Sequence, residues 1–456
     1  MNMRSLCALV LAASLLVAAG CGGPASRPPQ GDQPAAAATA AAPAQPAIAQ
    51  PAPAARADLP ENPTLAEYLA LAASNNPGLA AAEAKWKAAQ ERVPQATALD
   101  DPRISYRTSL GKDMRQHEVV IEQMFPWFGK LDLRGEVARQ EAEAARQQRE
   151  VLALKVAYQV KNAYYEYYYL ARAIDLARQN RDLVKGLGDI ALARYKSGGG
   201  GYQDVTRAQV ELGKLEDQVR TLEDSRGAAA ARLNAALNRP TGAPLPWPKA
   251  VPDTEIEAAS DEQVLEWLAG ANPELKAMDH DIARERTSID LAKKDYWPDV
   301  GLGVGYMNQV EQMIKSDDHM VVGMVSVTLP IWREKYAAGV REAEFRRDAA
   351  LKMRADRANM LGADVKMALY QMRDAQRKMV LYRDTLIPKA RESLQATEAA
   401  FRTGQANFVD LVDGERMLLE FQLMYERMLA DHAQRAAELE MLVGKELPKT
   451  GKGDSK

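Results

Sequence analysis

Phe401-Arg402-Thr403-Gly404-Gln405-Ala406-Asn407-Phe408-Val409-Asp410 restates an earlier stretch, Tyr195-Lys196-Ser197-Gly198-Gly199-Gly200-Gly201-Tyr202-Gln203-Asp204. Both read aromatic, basic, hydroxyl, glycine and, after a spacer, aspartate. Each ends one long helical pattern and opens another, as the turn of a helical hairpin does. Glycine supplies a positive φ past the helix end, and aspartate faces the amide-rich first turn of the returning helix. The fold therefore depends on what surrounds two such turns.

Before the first turn, Leu152, Val156, Ala163, Tyr167, Leu170, Ile174 and Val184 keep helical spacing within a pattern running from Leu131 to Tyr195. A helix of about 65 residues is roughly 100 Å long. After the turn, Val205, Ala208, Leu212, Leu215, Val219 and Leu222 alternate steps of three and four, a heptad seam. The second long helix, about Tyr336 to Phe401, contains Pro388, which predicts a bend ahead of the turn. Its return helix carries more than one apolar stripe between Val409 and Met428.

Further out, the two halves keep one order. Asn76-Pro77-Gly78-Leu79 opens a helix that ends before Asp101-Pro102, and Asn272-Pro273-Glu274-Leu275 opens another that ends before Trp297-Pro298, over the same interval. Thr64 is placed to cap a preceding helix with Leu65, Tyr68, Leu69 and Ala72 on one face. Strand-like runs follow each Asn-Pro helix: Arg103 to Leu110 with Glu118 to Phe125, and Val300 to Tyr306 with His319 to Leu329. Their period of two, with Ile104, Tyr106 and Leu110 on one face and Arg107 and serines on the other, marks amphipathic strands. Phe125-Pro126-Trp127 and Leu329-Pro330-Ile331-Trp332 then lead into the long helices. This duplication is the strongest signal in the chain.

The chain has 456 residues, 47% hydrophobic, with formal net charge −3. That is enough for a large core, and the charge balance gives no reason to expect a nucleic-acid partner. Residues 1–20 read as a signal peptide, with Arg4 ahead of an apolar run too short to span a bilayer. Ala18-Ala19-Gly20-Cys21 resembles the bacterial lipobox, which implies lipidation of Cys21 and, with Gly22 next, sorting to the outer membrane; an ordinary signal cleavage is the alternative. Residues 21–60 are an Ala/Pro-rich tether. Residues 61–247 form the first repeat, with strands about 102–125 and a helical hairpin about 130–238; 248–447 form the second, with strands about 299–329 and a hairpin about 335–443; 448–456 form a polar tail. The Pro-rich stretch Asn238 to Pro248 is a rigid connector. The fold class is thus mainly α with a β contribution.

Strand runs of roughly 8–11 residues match tilted membrane strands, but four strands cannot close a barrel. Inside a membrane every edge must be paired, so several copies must share one barrel; three would supply about twelve strands. Trp127, Trp297 and Trp332 flank the runs, fitting either an interfacial belt or a buried junction.

Taken together, these features resemble the TolC-type outer-membrane factors of bacterial efflux pumps, and their lipid-anchored branch, over nearly all of Asn62 to Leu447. The resemblance implies a homotrimer, a membrane β-barrel of about twelve strands continued by a periplasmic α-barrel of about twelve helices. It also implies a passive exit duct in the outer membrane, with no enzymatic activity and no cofactor. Its partners would be outer-membrane lipid, a periplasmic adaptor and an inner-membrane transporter of the RND type. Asp410 and Asp413 fall where the family carries an acidic entrance ring, with Asp204 at the matching place in the first turn; the plainer reading is that Asp410 and Asp413 cap or charge the first turn of a helix. The turns, with Gly198, Gly404, Tyr195 and Phe401, would meet the adaptor. The family's Tyr and Arg latch falls on Phe401 and Ala406, so it cannot be carried over. A periplasmic coiled-coil adaptor or scaffold is the rival reading.

Other chemistry is sparse. Gly198 to Gly201 lacks the Lys and hydroxyl of a phosphate loop, and the four histidines lack metal-ligand spacing. His117 and His319 lie near the outer strand ends, but no metal site is expected there. Met353, Met360 and Met367 recur every seven residues, which suits a Cu(I) or Ag(I) path but more simply a helix core, the expectation here.

Overall fold

A computed structural model describes residue 60 and residues 62–110, 114–248, 260–311 and 316–448. Cys21, the signal peptide, nearly all of the tether and the tail beyond Pro448 lie outside the described residues. The elements are α1 (Leu65–Asn75), α2 (Pro77–Gln90), α3 (Arg92–Thr97), β1 (Arg103–Leu110), β2 (Met114–Phe125), α4 (Lys130–Lys196) and α5 (Tyr202–Ala236). They continue with α6 (Asp261–Ala271), α7 (Pro273–Lys294), β3 (Val300–Glu311), β4 (Ser316–Val327) and α8 (Arg333–Leu381). A π-helical turn (Tyr382–Leu386), α9 (Ile387–Arg402) and α10 (Phe408–Val443) complete the order.

The helix starts follow the expected chemistry. Thr64 and Glu67 cap α1 reciprocally, and Ser260 and Gln263 do the same for α6. Asn76 and Asn272 each accept from the amide three residues on, with proline filling the next position, where no amide hydrogen is needed. One expectation fails: α2 stops at Gln90, and α3 follows after Glu91. Pro94 offers no amide to the Gln90 carbonyl and its ring crowds that turn, whereas Asp290 stands at the equivalent place in the unbroken α7.

The four strands form one antiparallel sheet in the order β1-β2-β3-β4. Pairing of β2 with β3 joins the halves, with His117 opposite Asn308 and Phe125 opposite Val300. The strands outrun the alternating pattern because ladder bonds need only backbone. β1 and β4 have one neighbour each, so each leaves an open edge. One face carries Ile104, Tyr106, Ile121, Leu302, Val304, Val321 and Val325, all exposed. The other carries Arg103, Arg107, Glu118, Glu122, Met124 and the glycines of β3. On that face Ser326 donates to Glu122 at 2.7 Å over Gly301, where any Cβ would collide with the serine hydroxyl.

The step from sheet to helices is held across the repeats. Asp299 Oδ1 accepts from the Trp127 amide at 2.8 Å and from Lys130 Nζ at 2.9 Å, and Lys130 is buried. Lys130 also lies 3.4 Å from Asp295.

In the helical layer, α4 packs against α5 and α10, and α10 packs against α8 and α9. Val156, Val160, Tyr167, Ile174 and Val184 bury on α4, and Val205, Ala208, Leu215 and Val219 on α5. Leu212 is only half-buried, and Glu211 takes the inner place beside it. Tyr167 stacks on Trp247 at 4.5 Å, which fastens the connector to α4. The interruption expected at Pro388 takes the form of the π-helical turn just before it: Pro388 cannot donate, and a wider turn makes room for its ring.

The methionine stripe is a second correction. Met353, Met360 and Met367 are 64%, 53% and 57% exposed, so they are not core. The buried face of α8 is Leu361, Val365, Leu369 and Met372, and the heptad of methionines lies on a free side of this edge helix.

Asn272 is buried and also donates to Leu442 O at 2.7 Å, fixing the start of α7 to the end of α10, while among the described residues Asn76 makes no such second bond. Asn272→Ala should therefore cost about 2–4 kcal/mol and Asn76→Ala about 1 kcal/mol. Thermal melts of the two variants in detergent check the order; an equal loss contradicts it.

Candidate functional site

Both turns close as Schellman motifs. Gly199 N donates to Arg194 O at 2.8 Å and Gly198 N to Tyr195 O at 3.1 Å; Gln405 N donates to Ala400 O at 2.8 Å and Gly404 N to Phe401 O at 3.1 Å. Gly198 and Gly404 hold φ of 76° and 79°, the left-handed region that the sequence pattern requires of them. Past the turns the copies diverge. Asn407 caps α10 in a reciprocal box with Asp410, whereas Gly201 starts α5 with no side-chain cap.

The aromatic pairs diverge as well. Phe401 and Phe408 meet edge to face at 5.8 Å and are 3% and 0% exposed, so Phe401 presents no surface to a partner. Tyr195 and Tyr202, at 5.5 Å, are 46% and 63% exposed. One turn is an internal anchor and the other a surface.

Arg194 joins them. Its Nη1 donates to Phe401 O at 2.6 Å, its Nη2 to Gly199 O at 3.1 Å, and its guanidinium lies 4.6 Å from the Phe401 ring centre. This fork ties the first hairpin to the second turn, next to Phe401. Sequence reasoning missed it because it looked for a latch on the second turn; the available signal was a basic residue beside Tyr195 in the last turn of α4.

Asp410 and Asp413 are exposed on the first two turns of α10. Asp410 accepts from the Asn407 amide at 3.4 Å, and Asp413 lies 3.4 Å from Arg416 Nη1. Arg416 is mainly committed elsewhere: its Nε donates to buried Glu211 at 2.7 Å, and that hydrogen bond, more than the coulombic attraction, holds the Glu211 carboxyl below its usual range. Asp204 is half-buried in the first turn of α5 and makes no side-chain bond among the described residues. The capping and charging role is therefore real for Asp410, and it leaves both α10 carboxylates facing solvent at the tip.

At the sheet end, Trp127 is half-buried and stacks on Trp297 at 5.0 Å. Trp297 and Trp332 remain exposed, together with Phe128, Leu329 and Ile331, which the sequence reading left out. At the far end of the strands Tyr106 OH meets His117 Nδ1 at 2.8 Å, and Tyr306 OH meets His319 Nδ1 at 2.6 Å. These paired contacts lie on the apolar face. Among the described residues no cluster of His, Cys, Asp or Glu is arranged to hold a metal ion.

The described chain thus combines an amphipathic sheet open at both edges with two long hairpins ending in paired turns. The family model for outer membrane efflux proteins matches residues 68–239 and 264–445, and the chain belongs to that family. It is accordingly an efflux channel of the outer membrane that extends into the periplasm and works with an adaptor and an inner-membrane transporter. It is a passive conduit rather than an enzyme or a coiled-coil adaptor. The cobalt-zinc-cadmium resistance protein CzcC of Cupriavidus metallidurans is 22% identical over 83% of this chain and 89% of its own. The fold is shared with VceC of Vibrio cholerae at TM-score 0.70 and 16% identity, covering 84% of this chain and 96% of that one. The open-state MtrE channel of Neisseria gonorrhoeae gives 0.69 at 18% identity, covering 85% and 90%.

Removing the Arg194 fork should loosen the second turn. Arg194→Ala is expected to cost the tip about 2 kcal/mol and Arg194→Lys, which cannot fork, roughly half of that. Amide exchange over 195–204 and 401–410 reads the change, and unaltered exchange in Arg194→Ala contradicts the tie.

Proposed function

We propose that three copies of this chain close one barrel and one helical tube, anchored by lipid on Cys21. The observation that carries this is the matching pair of open edges: β1 and β4 in the sheet, α5 and the α8–α9 side in the helical layer. Ladder groups left unpaired in hydrocarbon cost several kcal/mol each, so the sheet enters a membrane only when other copies supply its neighbours. The exposed apolar face then meets lipid, with Trp297 and Trp332 at one interface and the Tyr-His pairs at the other.

The two turns form the entrance on this reading, and Arg194 holds them together at rest. Tyr195 and Gly198 offer the surface to the adaptor, Phe401 and Gly404 serve as the anchor behind it, and an RND-type transporter supplies the energy. Asp410 and Asp413, with Asp204 behind them, set a negative field at the mouth that favours cations. The cargo inferred is a divalent metal ion, which both that field and the resistance named for CzcC support.

Planar-bilayer recording tests the mouth: Asp410→Ala with Asp413→Ala should lower cation preference, and an unchanged preference removes their role. Deleting the gene and challenging cells with cobalt, zinc, cadmium, dyes and detergents tests the cargo. Sensitivity to the metals alone is expected, and sensitivity to dyes and detergents alone contradicts it.

A further inference from the structure

Charged groups that cross between the two hairpins are mostly paired. Arg172 donates to Glu426 at 3.1 Å and Arg427 to Glu166 at 2.8 Å, and Lys161 pairs with Glu440. Glu415 departs from this pattern. It is 5% exposed on α10, makes no ion pair among the described residues, and accepts one hydrogen bond, from Asn180 Nδ2 of α4 at 3.3 Å. Asn180 is itself buried.

Its neighbours offer little compensation. From α4 the facing polar group is the neutral Asn180 amide. From α9, Glu398 repels it, although Glu398 is paired with Arg402. On α5, buried Glu211 is held by Arg416 and Lys214. On α10 itself, Arg416 is directed to Glu211 and Asp413. Apolar side chains pack the levels on either side, with Val184, Leu187 and Leu411 toward the tip and Leu176, Leu418 and Leu419 away from it. Burial first, and Glu398 second, push the Glu415 carboxyl above the ordinary carboxylate range.

We propose that Glu415 is an acid-responsive lock between the two hairpins. Protonated, it is a neutral partner of Asn180 and keeps α10 seated on α4; ionised, it is a buried charge with one amide partner, and the seam loosens. Its folded-state pKa lies above that of the unfolded chain. The seam is therefore strongest below the ordinary carboxylate pKa, weakens as pH rises through the raised value, and stays weaker above it. The consequence for the channel, an entrance that opens less readily in acid, rests on the reading of the turns given above.

Hydrogen exchange over residues 176–184 and 411–419 of the full chain, with Glu415→Gln compared with wild type at matched pH, tests the lock. Glutamine imitates the protonated carboxyl. Glu415→Gln should be measurably better protected at neutral pH and should match wild type in acid. Glu398→Gln should move the wild-type midpoint to lower pH. Equal or weaker protection of Glu415→Gln at neutral pH, or a midpoint that Glu398→Gln leaves in place, overturns the proposal. Bilayer conductance of the same samples separates the two readings. Protection that follows Glu415 while conductance is independent of pH keeps the lock and rejects the turns as the entrance; pH-dependent conductance without Glu415-dependent protection does the reverse.

Discussion

Two open edges in one sheet govern this molecule. β1 and β4 each present a row of backbone donors and acceptors without a neighbour, on a sheet whose one face is exposed and apolar. In water such edges are an aggregation hazard, and in hydrocarbon they are prohibitive. The helical layer repeats the arrangement, with α5 free on one side and the exposed Met353, Met360 and Met367 on the other. On the proposal above, such a chain is one segment of a closed wall, and the duplication supplies half of each segment twice.

The repeats have not stayed equivalent. The second turn is sealed by Phe401 and Phe408 and capped by Asn407 with Asp410, whereas the first is glycine-rich, uncapped and exposes Tyr195 and Tyr202. Between them the α4–α10 seam mixes apolar packing with buried polar links, of which Asn180 with Glu415 is the least compensated. Arg194 spans the tip. Strength inside each hairpin and a more polar seam between hairpins suit a wall whose halves shift against each other as units.

Much of this was legible in the sequence. Glycine at a fixed place after a helical pattern predicts the left-handed turn because little else fits there, and the Asn-Pro pairs predict helix starts because their chemistry is local. The strand hairpins follow from their period of two, and the shortage of strands follows from counting them. The pairing of β2 with β3 is not local and needed the structure. So did the break at Glu91, where Pro94 decides between one helix and two, and the outward face of the methionine heptad, since spacing gives a stripe but not its direction. Arg194 and Glu415 were missed for a related reason: each acts on a partner more than 200 residues away in sequence, on the opposite hairpin.

Closure of the β1 and β4 edges requires further copies of the chain, and mass in solution measures that directly. Light scattering of the full chain extracted from outer membranes, corrected for detergent, should give three times the mass of one chain, with the assembly resisting separation on heating. A stable single chain carrying the same secondary structure would leave β1 and β4 unpaired and contradict the account.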